Sequence, residues 1–504
     1  MKNLAASKDE TIMKELQLIK DKVSENFDDE LLTLKELVAI KSVAEGPAGD
    51  KDGADMAVAA AYSDPPFGEG VNDAFHYMLD KGRQLGFDPV NVDNFGGHLE
   101  FGEGKEIMGI AAHLDCVPEG EGWDYDPFGC EEADGKIYGR GTNDDKGPAV
   151  AALYAMKALK DLGMEPDKRV RLILGLDEET NWDGMRYYLE NEEMPDFGFT
   201  PDADFPVING EKGILVFDVA KKFAKSAAGG LEFRSFRGGE AYNMVAASAR
   251  VIVKSDKKGD YDKIREKARY FEELRGHAIG VKAIGKSLEL TAAGVPAHGA
   301  HPEMGVNAIS IMMDFLGMLD FSNEDISDFI EFYNTYIGKE LNGRSFGCLL
   351  EDEVSGETIL NVGMIDMDTK SGRITINIRY PISFREDDIY SGIDTVCSKY
   401  DIGIIKRENK DPLYISADSD FVKTLMQSYR DCTGDEESQP IVIGGGTYAR
   451  AFEDFVAFGA KFPEGESVEH QKNEYIKRDD LLMMTQIYAL AIRRCTHERD
   501  THKE

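Results

Sequence analysis

Two short apolar runs, each ending abruptly in acids, constrain the architecture of this chain more than any other feature. Residues 107–112 (IMGIAA) lead into His113-Leu114-Asp115, and residues 170–176 (VRLILGL) lead into Asp177-Glu178-Glu179. Runs of this length before polar loops predict buried strands that deliver side chains to the loops. Between them, residues 148–162 are Ala-rich with helical apolar spacing, open on a proline that a first turn tolerates, and stop at Gly163. Strand, helix, strand predicts an α/β sheet. Ligands of open α/β sheets collect at the carboxyl ends of the strands, where both acidic clusters fall.

Around this unit, Leu31, Leu34 and Val38 predict an amphipathic helix over 28–40, with Asp28 and Asp29 available to cap its first turn. Residues 49–70, rich in Gly, Asp and Pro, read as a surface insertion. After about residue 211 helical stretches (260–274, 305–319) alternate with strand-like runs (287–291), which predicts a second, smaller α+β domain over 212–411. In residues 373–381, Ile374, Ile376 and Ile378 alternate with Thr375, Asn377 and Arg379, so Arg379 is expected to face away from the core. A helical pattern over 416–434 and the run IVIGGGTYAR then return the chain to the first domain, made of 1–211 and 412–504.

The 504 residues, 42% of them hydrophobic, suffice for a sizeable core and two or three domains. Lys and Arg total 58 against 94 Asp and Glu, and the net charge of −36 repels nucleic acid and anionic lipid while favouring a small or cationic partner. The same charge also serves simply to solvate a surface. Cys116, Cys130, Cys348, Cys397, Cys432 and Cys495 lack metal-site or disulfide-framework spacing and are expected to be free thiols in a reducing compartment. No signal-peptide pattern opens the sequence, and no stretch approaches the roughly 18 apolar residues that span a bilayer. A cytoplasmic location without a membrane partner is the expectation.

Imidazole and carboxylate ligands suit zinc and manganese. His113 and Asp115 lie two apart, so in extended backbone both point to one side and the carboxylate can orient the ring, although an H-x-D pair taken alone fits a surface or capping role better. In GRGTNDDKGP (139–148), Asp144 and Asp145 precede the predicted helix; either can cap it, but two adjacent acids exceed what one cap requires, and a carboxylate can bridge two cations. Three consecutive carboxylates at 177–179 repel unless a cation or a proton compensates, the competing reading being an acidic helix N-terminus. Asp202 and Asp204 add acids that would also serve in Asx turns. His298 and His470 stand in loops, where a histidine is a ligand or merely structural. GGGTYAR lacks the Gly-Lys-Ser/Thr ending of a nucleotide loop and fits a carboxylate cradle of backbone N–H groups better.

Taken together, AAHLDCVPEGEGWDYDPF, IYGRGTNDDKGP, LGLDEETNW, FTPDADFPVINGEKG, PAHGAHPEMGVNA, ITINIRYP, IGGGTYAR and EHQKNEYI, in this order and over most of the chain, resemble the co-catalytic zinc peptidases that include carboxypeptidase G, aminoacylase and carnosinase, and most closely the PepV-type bacterial dipeptidases. The resemblance implies an α/β catalytic domain with a mixed sheet, interrupted by an enlarged ferredoxin-like α+β lid, and a monomer. It implies two divalent ions, zinc foremost with manganese or cobalt as alternatives, held by His113 and Asp202 on one side, Glu179 and His470 on the other, and Asp144 between. Asp115 would orient His113, Glu178 would be the general base, and His298 would stabilise the oxyanion. Asn243, Arg379 and the glycines around Gly445 would hold the carboxylate of a small peptide substrate, with Asn243 beside an unusually long segment, 221–243. Two alternatives stand beside dipeptide hydrolysis: an amidohydrolase of N-acyl amino acids with the same centre, and an inactive metal-binding or scaffold protein.

Overall fold

The two apolar runs are neighbouring strands. Ile107–His113 and Arg169–Gly175 pair in parallel with His113 opposite Gly175, and the helix Lys146–Asp161 is the crossover between them. The computed structural model describes residues 2–46, 62, 64–224 and 229–497, those before residue 13 by backbone alone. It divides into one unit of Met1–Asn209, Ile415–Ile441 and Gly446–Glu504, and a second of Gly210–Tyr414 and Val442–Gly445.

In the first unit the sheet runs Asp88–Val92, Gly96–Phe101, Arg169–Gly175, Ile107–His113, Phe197–Thr200, Phe455–Ala457 and Ile208–Glu211. The four strands from Arg169–Gly175 to Phe455–Ala457 are parallel, and antiparallel strands flank them. The Ile107–His113 strand is buried throughout, as its unbroken apolar run requires. Helix Lys146–Asp161 packs on Lys2–Val38 and Arg478–Thr496.

The helix expected over 28–40 is longer than that: it runs from Lys2 to Val38, so Asp28 and Asp29 stand inside it and cap nothing. The reason is visible in the burial of Leu16, Ile19, Val23, Phe27, Leu31 and Leu34, an apolar stripe that continues upstream without a break. Of the expected surface insertion, residues 49–61 and 63 lie outside the described residues. Its end is not surface: Phe67 is buried against Phe95, and Glu69 begins the helix Glu69–Gln84.

The second unit is an α+β body. Its eight-stranded antiparallel sheet runs Gly280–Ile284, Ser287–Ala293, Ser248–Ser255, Leu231–Gly238, Ile359–Met367, Ser371–Tyr380, Gly213–Lys222 and Gly403–Lys410. Helices Asp260–Arg275, Ala308–Leu316, Glu324–Tyr336 and Glu386–Cys397 supply Phe271, Met312, Phe329 and Ile389 to the core that Ile374, Ile376 and Ile378 enter from the sheet. Thr375, Asn377 and Arg379 alternate with those isoleucines as expected, yet their face is covered too: Arg379 is 4% exposed. A buried guanidinium must be hydrogen-bonded, and this one donates to Asn377 Oδ1 and to the Gly444 carbonyl. All six cysteines are free.

Candidate metal centre

Three acidic or imidazole groups leave the carboxyl ends of the parallel strands, a fourth precedes the crossover helix, and a fifth comes from near the end of the chain. His113 is the last residue of its strand, Glu179 follows Arg169–Gly175, Asp202 follows Phe197–Thr200, and Asp144 precedes the crossover helix. His470 sits in the loop before the strand Tyr475–Lys477 with φ 62°, a left-handed conformation that a non-glycine residue adopts only when its surroundings impose it.

These side chains converge. Asp144 Oδ1 lies 3.0 Å from His113 Nε2, and Asp144 Oδ2 lies 3.1 Å from His470 Nε2. Asp202 Oδ2 is 3.7 Å from His113 Nε2, and Glu179 Oε1 is 3.0 Å from His470 Nε2. Two overlapping groups result, His113–Asp144–Asp202 and Asp144–Glu179–His470, each with its ligand atoms all within 4.8 Å of one another. Nitrogen and carboxylate donors in two triads that share one aspartate fit a pair of divalent cations of the zinc or manganese type.

The groups also perturb one another's titration. Burial alone would push His113 down, but hydrogen bonds to Asp115 and Asp144 raise it well above its ordinary value. Hydrogen bonds to Asp144 and Glu179 raise His470 to about 11. Burial would raise Asp144, yet hydrogen bonds from the two imidazoles hold it below the usual carboxylate range. Burial and the neighbouring Asp144 lift Asp202 to about 7. Positive charge is thus favoured beside these acids, whether carried by an imidazole proton or by a cation.

Around the ligands, other carboxylates hold backbone. His113 Nδ1 lies 3.0 Å from the Asp115 carbonyl oxygen and 3.4 Å from its carboxylate, which accepts the backbone N–H of Glu178 and of Glu179, both at 3.1 Å. Asp115 therefore fixes both glutamates as well as facing the ring. Asp145 occupies the N-cap position of the crossover helix without a side-chain capping bond; its carboxylate accepts the His113 N–H at 3.0 Å. The three acids at 177–179 lie ahead of the helix Asp183–Asn191 rather than in its first turn, but Asp177 reaches forward to accept the N–H of Gly184, the second residue of that helix. Glu178 belongs to neither triad among the described residues. Burial, and then Asp202, raise its carboxyl well above the ordinary range. Asp204 stands apart from the triads, paired with Lys461 at 3.1 Å.

The GGGTYAR run divides between the units. Its Tyr448 packs beneath the centre, at the place where a Cβ on Gly175 would collide with the ring at 2.5 Å, and its ring lies 6.2 Å from that of His113. Gly444 and Gly445 belong to the second unit with the remaining expected residues. There Met244 and His298 form an antiparallel bridge, and the Gly299 N–H donates to the Asn243 carbonyl at 2.6 Å. Asn361 Nδ2 donates to the carbonyls of Tyr242 and Met244, on either side of Asn243, and Asn361 pairs across the sheet with Asn377 beside Arg379. One patch of the second unit thus gathers Asn243, His298, Asn361, Asn377, Arg379 and Gly444. Asn361 and Asn377 join the expected residues in this patch; Asn361, an asparagine between apolar strand residues, is the one that sequence reasoning did not single out.

Residues 109–494 match the sequence profile of Peptidase family M20/M25/M40. A protein of Staphylococcus epidermidis named "Putative dipeptidase" is 37% identical over 480 residues, covering 94% of this chain and 98% of that one. The crystal structure of human carnosine dipeptidase 1 superposes with a TM-score of 0.54 at 16% identity, covering 95% of this chain and 98% of that one. Aminoacylhistidine dipeptidase of Vibrio alginolyticus does so with 0.53 at 16%, covering 93% and 97%.

Proposed function

Because the chain belongs to peptidase family M20/M25/M40 and hydrolyses peptide bonds, we propose that its substrates are dipeptides, cleaved at a centre of two divalent cations held by His113, Asp144, Glu179, Asp202 and His470. The observation that carries this reading is Asp144, whose two oxygens face two different imidazoles and so suit a carboxylate shared by two ions. Bound there, a pair of such ions supplies Lewis acidity towards the scissile carbonyl and a water that ionises near neutral pH.

The chain's own residues do the rest. Glu178, next to Glu179 and outside both triads, takes the proton of the attacking water and passes it to the departing amine. Asp115 keeps His113 and the two glutamates in place. In the same reading His298 stabilises the oxyanion, and Asn243, Arg379 and Gly445 hold the carboxylate at the substrate's end, for which a guanidinium's paired N–H donors are suited. A net charge of −36 is compatible with a small zwitterionic substrate and opposes a polyanionic one.

The test is to strip the protein with a chelator and restore zinc, manganese or cobalt one at a time. Each preparation is then assayed with a dipeptide, a tripeptide and an N-acyl amino acid. Metal-dependent turnover with the dipeptide preferred is the expected result. Turnover confined to N-acyl amino acids would instead establish the amidohydrolase, and no turnover with any ion would leave a binding protein.

A further inference from the structure

Glu474 is wholly buried, belongs to neither triad among the described residues, and has both carboxylate oxygens hydrogen-bonded. Its Oε1 accepts the backbone N–H groups of Gly141, Asn143 and Asp144 at 3.0, 2.9 and 3.2 Å, and its Oε2 accepts the Arg140 guanidinium. Arg140 is itself 1% exposed and lies over the Trp123 ring. Three backbone donors around one carboxylate make an anion nest, and Gly141, at φ +87°, allows the turn that aims them inward. Without the carboxylate those N–H groups would be orphaned where water does not reach.

The strand Tyr475–Lys477 pairs with Lys136–Tyr138, and the Gly139 N–H donates to the Glu474 carbonyl. Main chain and side chain of Glu474 therefore tie the segment that carries His470 to the loop that carries Asp144. These are the two residues whose separation fixes the Asp144–Glu179–His470 triad. We propose that Glu474 is a positioning residue of the metal centre: by holding the 140–144 loop to the His470 segment it sets the spacing of Asp144 and His470, and with it the affinity for cations. The proposal rests on the reading of those residues as metal ligands.

Cobalt titrated into the metal-stripped full-length chain, followed by calorimetry and by visible absorption, tests it. Measurements are made at a temperature where circular dichroism shows each protein folded. Glu474→Gln keeps the volume but turns an N–H donor toward other donors; it should bind cobalt about 10- to 100-fold more weakly than the unaltered chain, with an altered visible spectrum at saturation. Should Gln unfold the chain, Glu474→Asp decides, since it keeps the charge and withdraws the carboxylate by one methylene; weaker binding is again expected. A folded variant with unaltered cobalt affinity and spectrum would overturn the proposal, because a purely structural role changes the melting temperature and neither of those readouts. Failure of the unaltered chain to bind cobalt would instead reject the metal-ligand reading beneath it.

Discussion

Asp144 presents one oxygen to each of two imidazoles, while Glu178, next in sequence to the proposed ligand Glu179, stands outside both triads among the described residues. The two acids should therefore fail differently. Glu178→Gln removes a proton acceptor and leaves all five ligands, so kcat should fall by about 10²- to 10⁴-fold with bound metal unchanged. Asp144→Ala removes the shared ligand, so metal content by atomic absorption should fall together with turnover. Loss of metal in the Glu178 variant would reverse this assignment. At this scale the five candidate ligands are proposed from the sequence because the segments carrying them, taken together and in order, form a known pattern, and the structure brings those side chains together. Glu474 could not be so proposed, since its partners are backbone N–H groups and no side-chain spacing records them. Asp145, which the sequence left open as a cap, stands where a cap belongs yet spends its carboxylate on the His113 N–H, a backbone partner that spacing does not record either.

The helices and strands were legible where burial is continuous. Unbroken apolar runs located the strands at 107 and 170, and the proline and glycine bounded their crossover helix. Boundaries failed where the signal was continuous, as in Lys2–Val38, whose apolar stripe gives no start. Faces failed where polar residues are covered, as around Arg379, because alternation reports which side is apolar and not which side is wet. The long first helix carries a further cost. Its Glu30 is fully buried, with Oε1 accepting Thr485 of the helix Arg478–Thr496 and Oε2 unpaired. Burial raises this carboxyl well above its ordinary value, so the folded chain holds a proton that the unfolded chain releases. The stability Glu30 permits is full below the ordinary carboxylate range and is lost as pH rises through the folded-state value. Glu30→Gln should accordingly melt higher than the unaltered protein at pH 8, with the difference shrinking toward pH 4. Parallel melting curves across that range would show that Glu30 does not titrate between the two states.

For the molecule as a whole, a net charge of −36 means that like charges repel across both units. Raising NaCl from low concentration to about 1 M shrinks the screening length to about 3 Å, so the urea midpoint of the metal-free chain should rise. A fall would mean that attractive pairs such as Arg171–Glu100 outweigh the repulsion. The sheet of the first unit has another whole-chain property. The strand Phe455–Ala457 lies between Phe197–Thr200 and Ile208, in the interior of the sheet, and His470 follows it. During synthesis the catalytic half must wait, its sheet open beside Phe197–Thr200, while the ribosome makes more than two hundred intervening residues. If these residues hold the ions as proposed, loading has to follow the synthesis of residue 470, and a prematurely terminated product would carry four of the five proposed ligands.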